Sequence, residues 1–299
     1  MSPGPALATT TGTVGPFLVA KLRALDARLG EVAPRVLESA GDEDAVHDLR
    51  VALRRTRTVL EVGRRVLGRF HADEVRRAMR ALMRATGDLR DEEVFLELVA
   101  SIAPPDAGPP DVQAWVDARR RRERHLRGEL ARLLHSGELD RGRALLDALL
   151  AFRVDPAHDR RVTKFARRAV DRARRKVDRR SDAQPDDPDA LHRLRIAYKR
   201  LRYTVETLAD SLPDDLAALA QPASRLQSRL GDLHDVDIAV GRVRRARTLS
   251  SASRAELLAG LASVRDVRLA AYLRELGAAA SPPPAQAVGT DSLRKTSTR

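Results

Sequence analysis

Leu, Val and Ala recur three and four positions apart from about residue 17 to residue 277, with Arg, Glu and Asp between them. That period places one apolar stripe on each helix and turns it toward a core. No run alternates at the period of two that a half-buried strand requires, so the chain reads as all-α. Short breaks punctuate the pattern: around Gly41, APPDAGPPD at 103–111, VDPAHD at 154–159, DAQPDDPD at 182–189, and Pro213. Between them the predicted helices are 17–39, 44–68, 72–86, 89–101, 111–135, 138–152, 160–180, 188–210, 214–230, 233–248 and 253–277, an arrangement of helical bundles. The ends, 1–15 and 279–299, are rich in Pro, Gly, Ser and Thr and are expected to be disordered tails.

The chain also matches itself. Residues 45–61 read AVHDLRVALRRTRTVLE and residues 190–206 read ALHRLRIAYKRLRYTVE, with eight of seventeen positions identical at an offset of 145. A second pair follows at offset 144, GDLRDEEV from Gly87 and GDLHDVDI from Gly231. Two ordered matches at nearly one offset indicate a tandem duplication. The expected halves are 16–153 and 154–278. Asp42 and Asp187 precede the two copies of the first element and are expected N-caps, because a carboxylate there accepts from first-turn N–H groups.

Charge changes the picture next. Lys and Arg number 55 against 42 Asp and Glu, a net charge of +13, and only five of the basic residues are Lys. Such an excess predicts a polyanionic partner: nucleic acid, an anionic membrane surface or a phosphate polymer. The absence of cysteine excludes disulfides, Cys-based zinc sites and a cysteine nucleophile. No signal peptide and no membrane-spanning stretch is read, so a cytoplasmic location is expected.

With His47 at 0° and about 100° per residue, Arg50, Arg54 and Arg57 share an arc of about 80° with it. Leu49, Leu53, Thr56 and Leu60 form the neighbouring apolar stripe. In the second copy His192, Arg195, Lys199 and Arg202 take the basic positions, and Leu194, Tyr198, Leu201 and Val205 the apolar ones. Arg55 and Arg200 lie off to the side. A basic stripe beside the buried stripe is expected to line a groove between packed helices. Arg suits phosphate because its planar fork donates two parallel charge-assisted hydrogen bonds. The competing reading is an ion-paired solvent face, with Glu61 and Glu206 inside the same arc. Each His is either a donor near neutral pH or a neutral ring bound to a neighbouring carboxylate.

In the GDLxDx(E/D) element, Asp88, Asp91 and Glu93 correspond to Asp232, Asp235 and Asp237. A divalent cation site is one reading. The preferred one is a tight turn or close helix approach at the Gly, a cap from the first Asp, and ion pairs from the others. No metal and no cofactor is predicted. Arg90 and His234 occupy matching positions. Further basic density lies at 118–127 and in the stripe Lys164, Arg168, Arg172, Arg175 and Arg179.

The helices H-x-x-R-x-x-x-(R/K)-R-x-R, each followed by G-D-L-x-D-x-(D/E), resemble the CHAD family, the conserved histidine α-helical domain. The resemblance implies two pseudo-symmetric antiparallel four-helix bundles from an internal duplication, with a basic central cleft. It further implies non-catalytic binding of inorganic polyphosphate and association with polyphosphate granules. The implied binding residues are His47, Arg50, Arg54, Arg55, Arg57, His192, Arg195, Lys199, Arg200 and Arg202. The first copy departs from the second in having Thr56 and Thr58 where Leu201 and Tyr203 stand. No E-x-E-x-K strand of a fused triphosphate-tunnel domain is found. Two other functions compete: a nucleic-acid-binding helical protein, and a phosphoryl-transfer enzyme using His47 or His192. Scarce aromatics, 3% of residues, weigh against the first, because single-strand binders stack bases on aromatic rings. The lack of a Walker loop, an HExxH or an RHG-type phosphatase motif weighs against the second.

Overall fold

The structure, a computed structural model, describes residues 12–38, 43–103, 108–151 and 160–280. Its helices are α1 Val14–Glu38, α2 Glu43–Gly63, α3 Arg69–Ala78, α4 Arg80–Ile102, α5 Pro110–His135, α6 Glu138–Ala151, α7 Val162–Asp178, α8 Pro188–Leu208, α9 Asp214–Ala217, α10 Ala220–Arg245 and α11 Ser251–Ala280. No strand forms among the described residues. The one β-like contact is an isolated bridge between Thr13 and Arg161, which ties the start of α1 to the start of α7. Most of the tails expected at 1–15 and 279–299, and the cap expected at Asp42, lie outside the described residues. The start of α1 falls within the stretch read as a tail: Val14 and Gly15 are buried.

Three cores hold the helices together. The first joins α1 to α6, with Leu18, Leu22, Leu29, Leu49, Leu53, Leu60, Leu82 and Leu130 shut from solvent. The second is shared by α7, α8, α10 and α11, centred on Val170, Leu194, Val205 and Leu233. The third lies between them. There Phe95, Leu98 and Trp115 of α4 and α5 meet Val236, Val243 and Leu257 of α10 and α11. Burying each large aliphatic side chain contributes roughly 1.5–3 kcal/mol, and the third core joins the first two into one body.

Two helices run through positions where the sequence predicts ends. Gly87 lies inside α4 and Gly231 inside α10, so neither makes a turn, and Asp88 and Asp232 cap nothing. The reason is packing. A Cβ on Gly87 would stand 3.2 Å from Arg50 Nη1, and one on Gly231 would stand 3.5 Å from Arg195 Nε. In each half the missing side chain leaves room for the second basic residue of the repeated helix. The break instead falls at Met79, where α3 gives way to α4 while the Met79 N–H still donates to the Val75 carbonyl. Met79 is buried against Gly142 of α6. At the start of α8, Asp187 accepts from the Ala190 N–H at 2.9 Å, with Pro188 in the first turn.

Candidate functional site

Helix α2 packs on α8, and α7 runs beside α8. Between them opens a cleft of about 500 Å³. Arg50, Arg54 and Arg57 enter it from α2, Lys199 and Arg200 from α8, Arg172, Arg175 and Lys176 from α7, and Arg179 from the cap of α7, with Glu61 as the lining carboxylate. The apolar stripes explain this convergence. Leu49, Leu53, Thr56 and Leu60 of α2 are buried, as are Leu194, Leu201 and Val205 of α8. Fixing those faces in their cores turns the adjoining cations toward the seam.

The cations crowd one another. Burial, then Arg54, Arg195, Arg50 and Arg57, push Lys199 down to about 8. Burial and then Arg54 lower Arg50 as well, with Asp91 opposing. Arg54 donates to the Tyr203 hydroxyl, and its guanidinium stands 5.2 Å from that ring's centroid. Among the described residues Arg50, Arg57, Arg172, Arg175, Lys176 and Lys199 make no ion pair. The α8 stripe is the more neutralised of the two. Arg200 pairs with Glu61, and Arg202 donates to Glu206 at 2.6 Å and to Gln227 at 3.1 Å. The ion-paired face therefore holds for Arg200 and Arg202 and not for the α2 stripe.

The other sequence-predicted residues fall elsewhere. His47 and Arg55 are exposed on α2, outside the cleft lining. His192, Arg195 and His234 form a second cluster between α8 and α10. His192 Nδ1 and His234 Nδ1 are 3.2 Å apart. Burial and then Arg195 push His234 down to about 4 and lower His192 also. Both rings are therefore neutral near pH 7, one donating to the other, so His192 supplies no positive charge there. Arg195 Nε is buried without a hydrogen-bond partner among the described residues. Arg90 pairs with Glu93 at 3.5 Å and with Glu97 at 3.2 Å. Lys164 and Arg168 line a wider basin next to the cleft, and Arg172 lines both.

The third carboxylate of each repeated element serves an arginine of a neighbouring helix. Arg127 of α5 donates to Glu93 at 2.9 Å, and Arg265 of α11 donates to Asp237 at 2.8 Å. Among the described residues no group of three His, Asp or Glu side chains is placed to hold a metal ion. Sequence reasoning did not single out Lys176 of the cleft, nor Arg64, Arg65, Arg69 and Arg160 of the basin, nor Arg76 and Arg80 of a third hollow of about 480 Å³ beside Arg57. Arg65 with Arg69 and Arg76 with Arg80 stand four apart, but each pair spans a helix break, so only the fold brings them together.

The described residues form an all-helical body whose central seam gathers cations without a carboxylate partner, and none of its helices is long and apolar enough to cross a membrane. The chain belongs to the CHAD domain family, whose sequence profile matches residues 20–244. Uncharacterized proteins from two strains of Mycobacterium tuberculosis are 32% identical over an alignment of 207 positions that covers 64% of this chain. The chain spans 38% of the length of these relatives. The crystal structure of the CHAD domain from the plant Ricinus communis superposes with a TM-score of 0.69 at 20% identity, covering 93% of this chain and 97% of that one. PptA from Streptomyces chartreusis gives 0.69 at 16% identity over 89% of this chain and 100% of its own. These likenesses establish the fold.

Proposed function

We propose that this chain binds inorganic polyphosphate without chemically altering it, seating the polymer in the cleft between α2, α7 and α8, and that it associates through it with polyphosphate granules in the cytoplasm. The observation that carries this reading is the set of eight cleft cations that have no carboxylate partner among the described residues, Arg200 being the one that pairs. Like charges held together in a half-buried seam are unfavourable, and a polyanion relieves that cost while accepting charge-assisted hydrogen bonds from each guanidinium. Membership of the family supports the choice of ligand. The matched contacts Arg50–Gly87 and Arg195–Gly231, and Arg127–Glu93 and Arg265–Asp237, support a tandem duplication as the origin of the two halves. On this reading the cleft is bordered by one copied helix from each half.

Polyphosphate is favoured over nucleic acid because the cleft offers one aromatic ring, Tyr203, already engaged by Arg54. Binding of long-chain polyphosphate, measured by titration calorimetry at fixed salt, should be abolished in the double variant Arg54→Glu, Lys199→Glu, with the helical CD spectrum unchanged. Retained affinity would move the ligand elsewhere. Competition by single-stranded DNA at equal phosphate concentration should be weak, and displacement of the polymer by DNA would favour the nucleic-acid reading. No phosphate should be released during either titration.

A further inference from the structure

A hollow wider than the cleft lies next to it. This basin of about 960 Å³ opens between the end of α2, the start of α3 and the first half of α7. Arg65, Arg69, Arg160, Lys164, Arg168 and Arg172 line it above an apolar floor of Val62, Val66 and Phe165. Among the described residues none of these six cations makes an ion pair. The basin's other two arginines are occupied: Arg64 by Asp73, and Arg76 by Asp73 at 3.1 Å and Glu61 at 3.8 Å. The rim is held in place. Val14 N–H donates to the Arg160 carbonyl at 2.9 Å, and Val162 N–H donates to the Gly12 carbonyl at 3.1 Å.

Arg172 lines both hollows. Its surroundings are burial first and then the like charges of Arg65, Arg175 and Arg168, with Asp171 in opposition. Along α7 the basic stripe runs from Lys164 in the basin, through Arg168 and Arg172, to Arg175 and Arg179 in the cleft. At about 1.5 Å per residue these fifteen steps cover about 22 Å. One helix thus carries an uninterrupted row of donors from one hollow into the other.

We propose that the basin is a second phosphate-binding subsite, joined to the cleft along α7, so that one polyphosphate chain occupies both and short oligomers occupy only one. This rests on the cleft reading and extends it to chain-length selection. A row of about 22 Å is long enough to meet several consecutive phosphates of one chain. A chain long enough to enter both subsites makes its second contact intramolecularly, at an effective concentration in the millimolar range. Long chains therefore bind more tightly than tripolyphosphate by more than the ratio of their phosphate numbers.

The test is calorimetric titration of the full chain with tripolyphosphate and with long-chain polyphosphate, comparing wild type with Arg65→Ser, Arg168→Ser. Both side chains are exposed, so the fold should survive, and CD checks that it does. The expected result is a loss of tenfold or more in long-chain affinity. The slope of log affinity against log salt should become shallower by about 1.4, two contacts at about 0.7 each. Tripolyphosphate affinity at the cleft should change less than twofold. Equal long-chain affinity in wild type and variant, or parallel losses for both ligands, overturns the inference while leaving the cleft reading in place. Failure of the wild type to bind either ligand overturns the cleft reading and the subsite with it.

Discussion

Lys199 is the residue on which pH acts most directly. Its folded value of about 8 lies below the ordinary lysine value of 10.5 because burial and four arginines disfavour the ammonium. Between those two values the unfolded chain holds a proton that the folded chain has released, so the residue's contribution to stability rises with pH across that window. Anion binding works in the opposite sense, since a phosphate beside Nζ favours the charged form. Polyphosphate affinity is expected to fall as pH rises through about 8. Proton uptake should accompany binding there, measurable by calorimetry in buffers of different ionisation enthalpy. Lys199→Arg should flatten that profile, because a guanidinium keeps its charge. None of this is legible in the sequence, where Lys199 is one cation in a stripe. Its depressed value comes from burial first and then from crowding arginines, three of which, Arg54, Arg50 and Arg57, arrive from another helix. The same holds for His192, which reads as a donor in the stripe and folds as a neutral partner of His234.

At the scale of the helix, most of the architecture was legible. The apolar period located α1, α2, α5, α6, α7, α8 and α11, and the Asp-Pro signal located the start of α8. Asp187→Ala should cost about 1 kcal/mol, the usual loss for an N-cap carboxylate, read from the urea midpoint. The glycines misled because a breaker inside a periodic segment reads as an end, whereas Gly87 and Gly231 lie in helix interiors that basic side chains cross. Their substitution separates stability from binding. Gly87→Ala adds up to about 1 kcal/mol of helix propensity, but its methyl presses on the mobile tip of Arg50. Thermal stability should hold or rise while polyphosphate affinity falls. Gly231→Ala meets Arg195 at ordinary contact distance, and its affinity should stay near wild type. The role of α7 as a cleft wall was less legible than its helicity, because its cations are spaced like those of any solvated helix until α2 and α8 enclose them.

Across the whole molecule α4 and α5 are joined to α10 by a buried charge as well as by the third core. Glu92 of α4, 1% exposed, accepts from Arg119 of α5 and from Arg242 of α10 at 3.2 Å. The two guanidiniums stand over Phe95, 5.3 and 4.7 Å from its centroid. Removing one member of such a buried set typically costs about 3–5 kcal/mol, because the others keep their desolvation without a partner. Glu92→Gln should therefore lower the denaturant midpoint markedly, and hydrogen exchange should quicken in α4 and α10 together. The sequence gives no sign of this lock, since Glu92 stands opposite Val236 in the repeat and only tertiary packing distinguishes them.

Trp115 is the chain's single tryptophan, and it sits in that joint, edge-on to Phe95 with ring centroids 5.6 Å apart. Tryptophan emission, unlike that of Tyr203 in the cleft, therefore watches this joint and not the anion seat. A titration that leaves the emission unmoved describes a body that accepts its ligand without flexing. A shift in the emission maximum, by contrast, would be an optical signature of one half turning against the other.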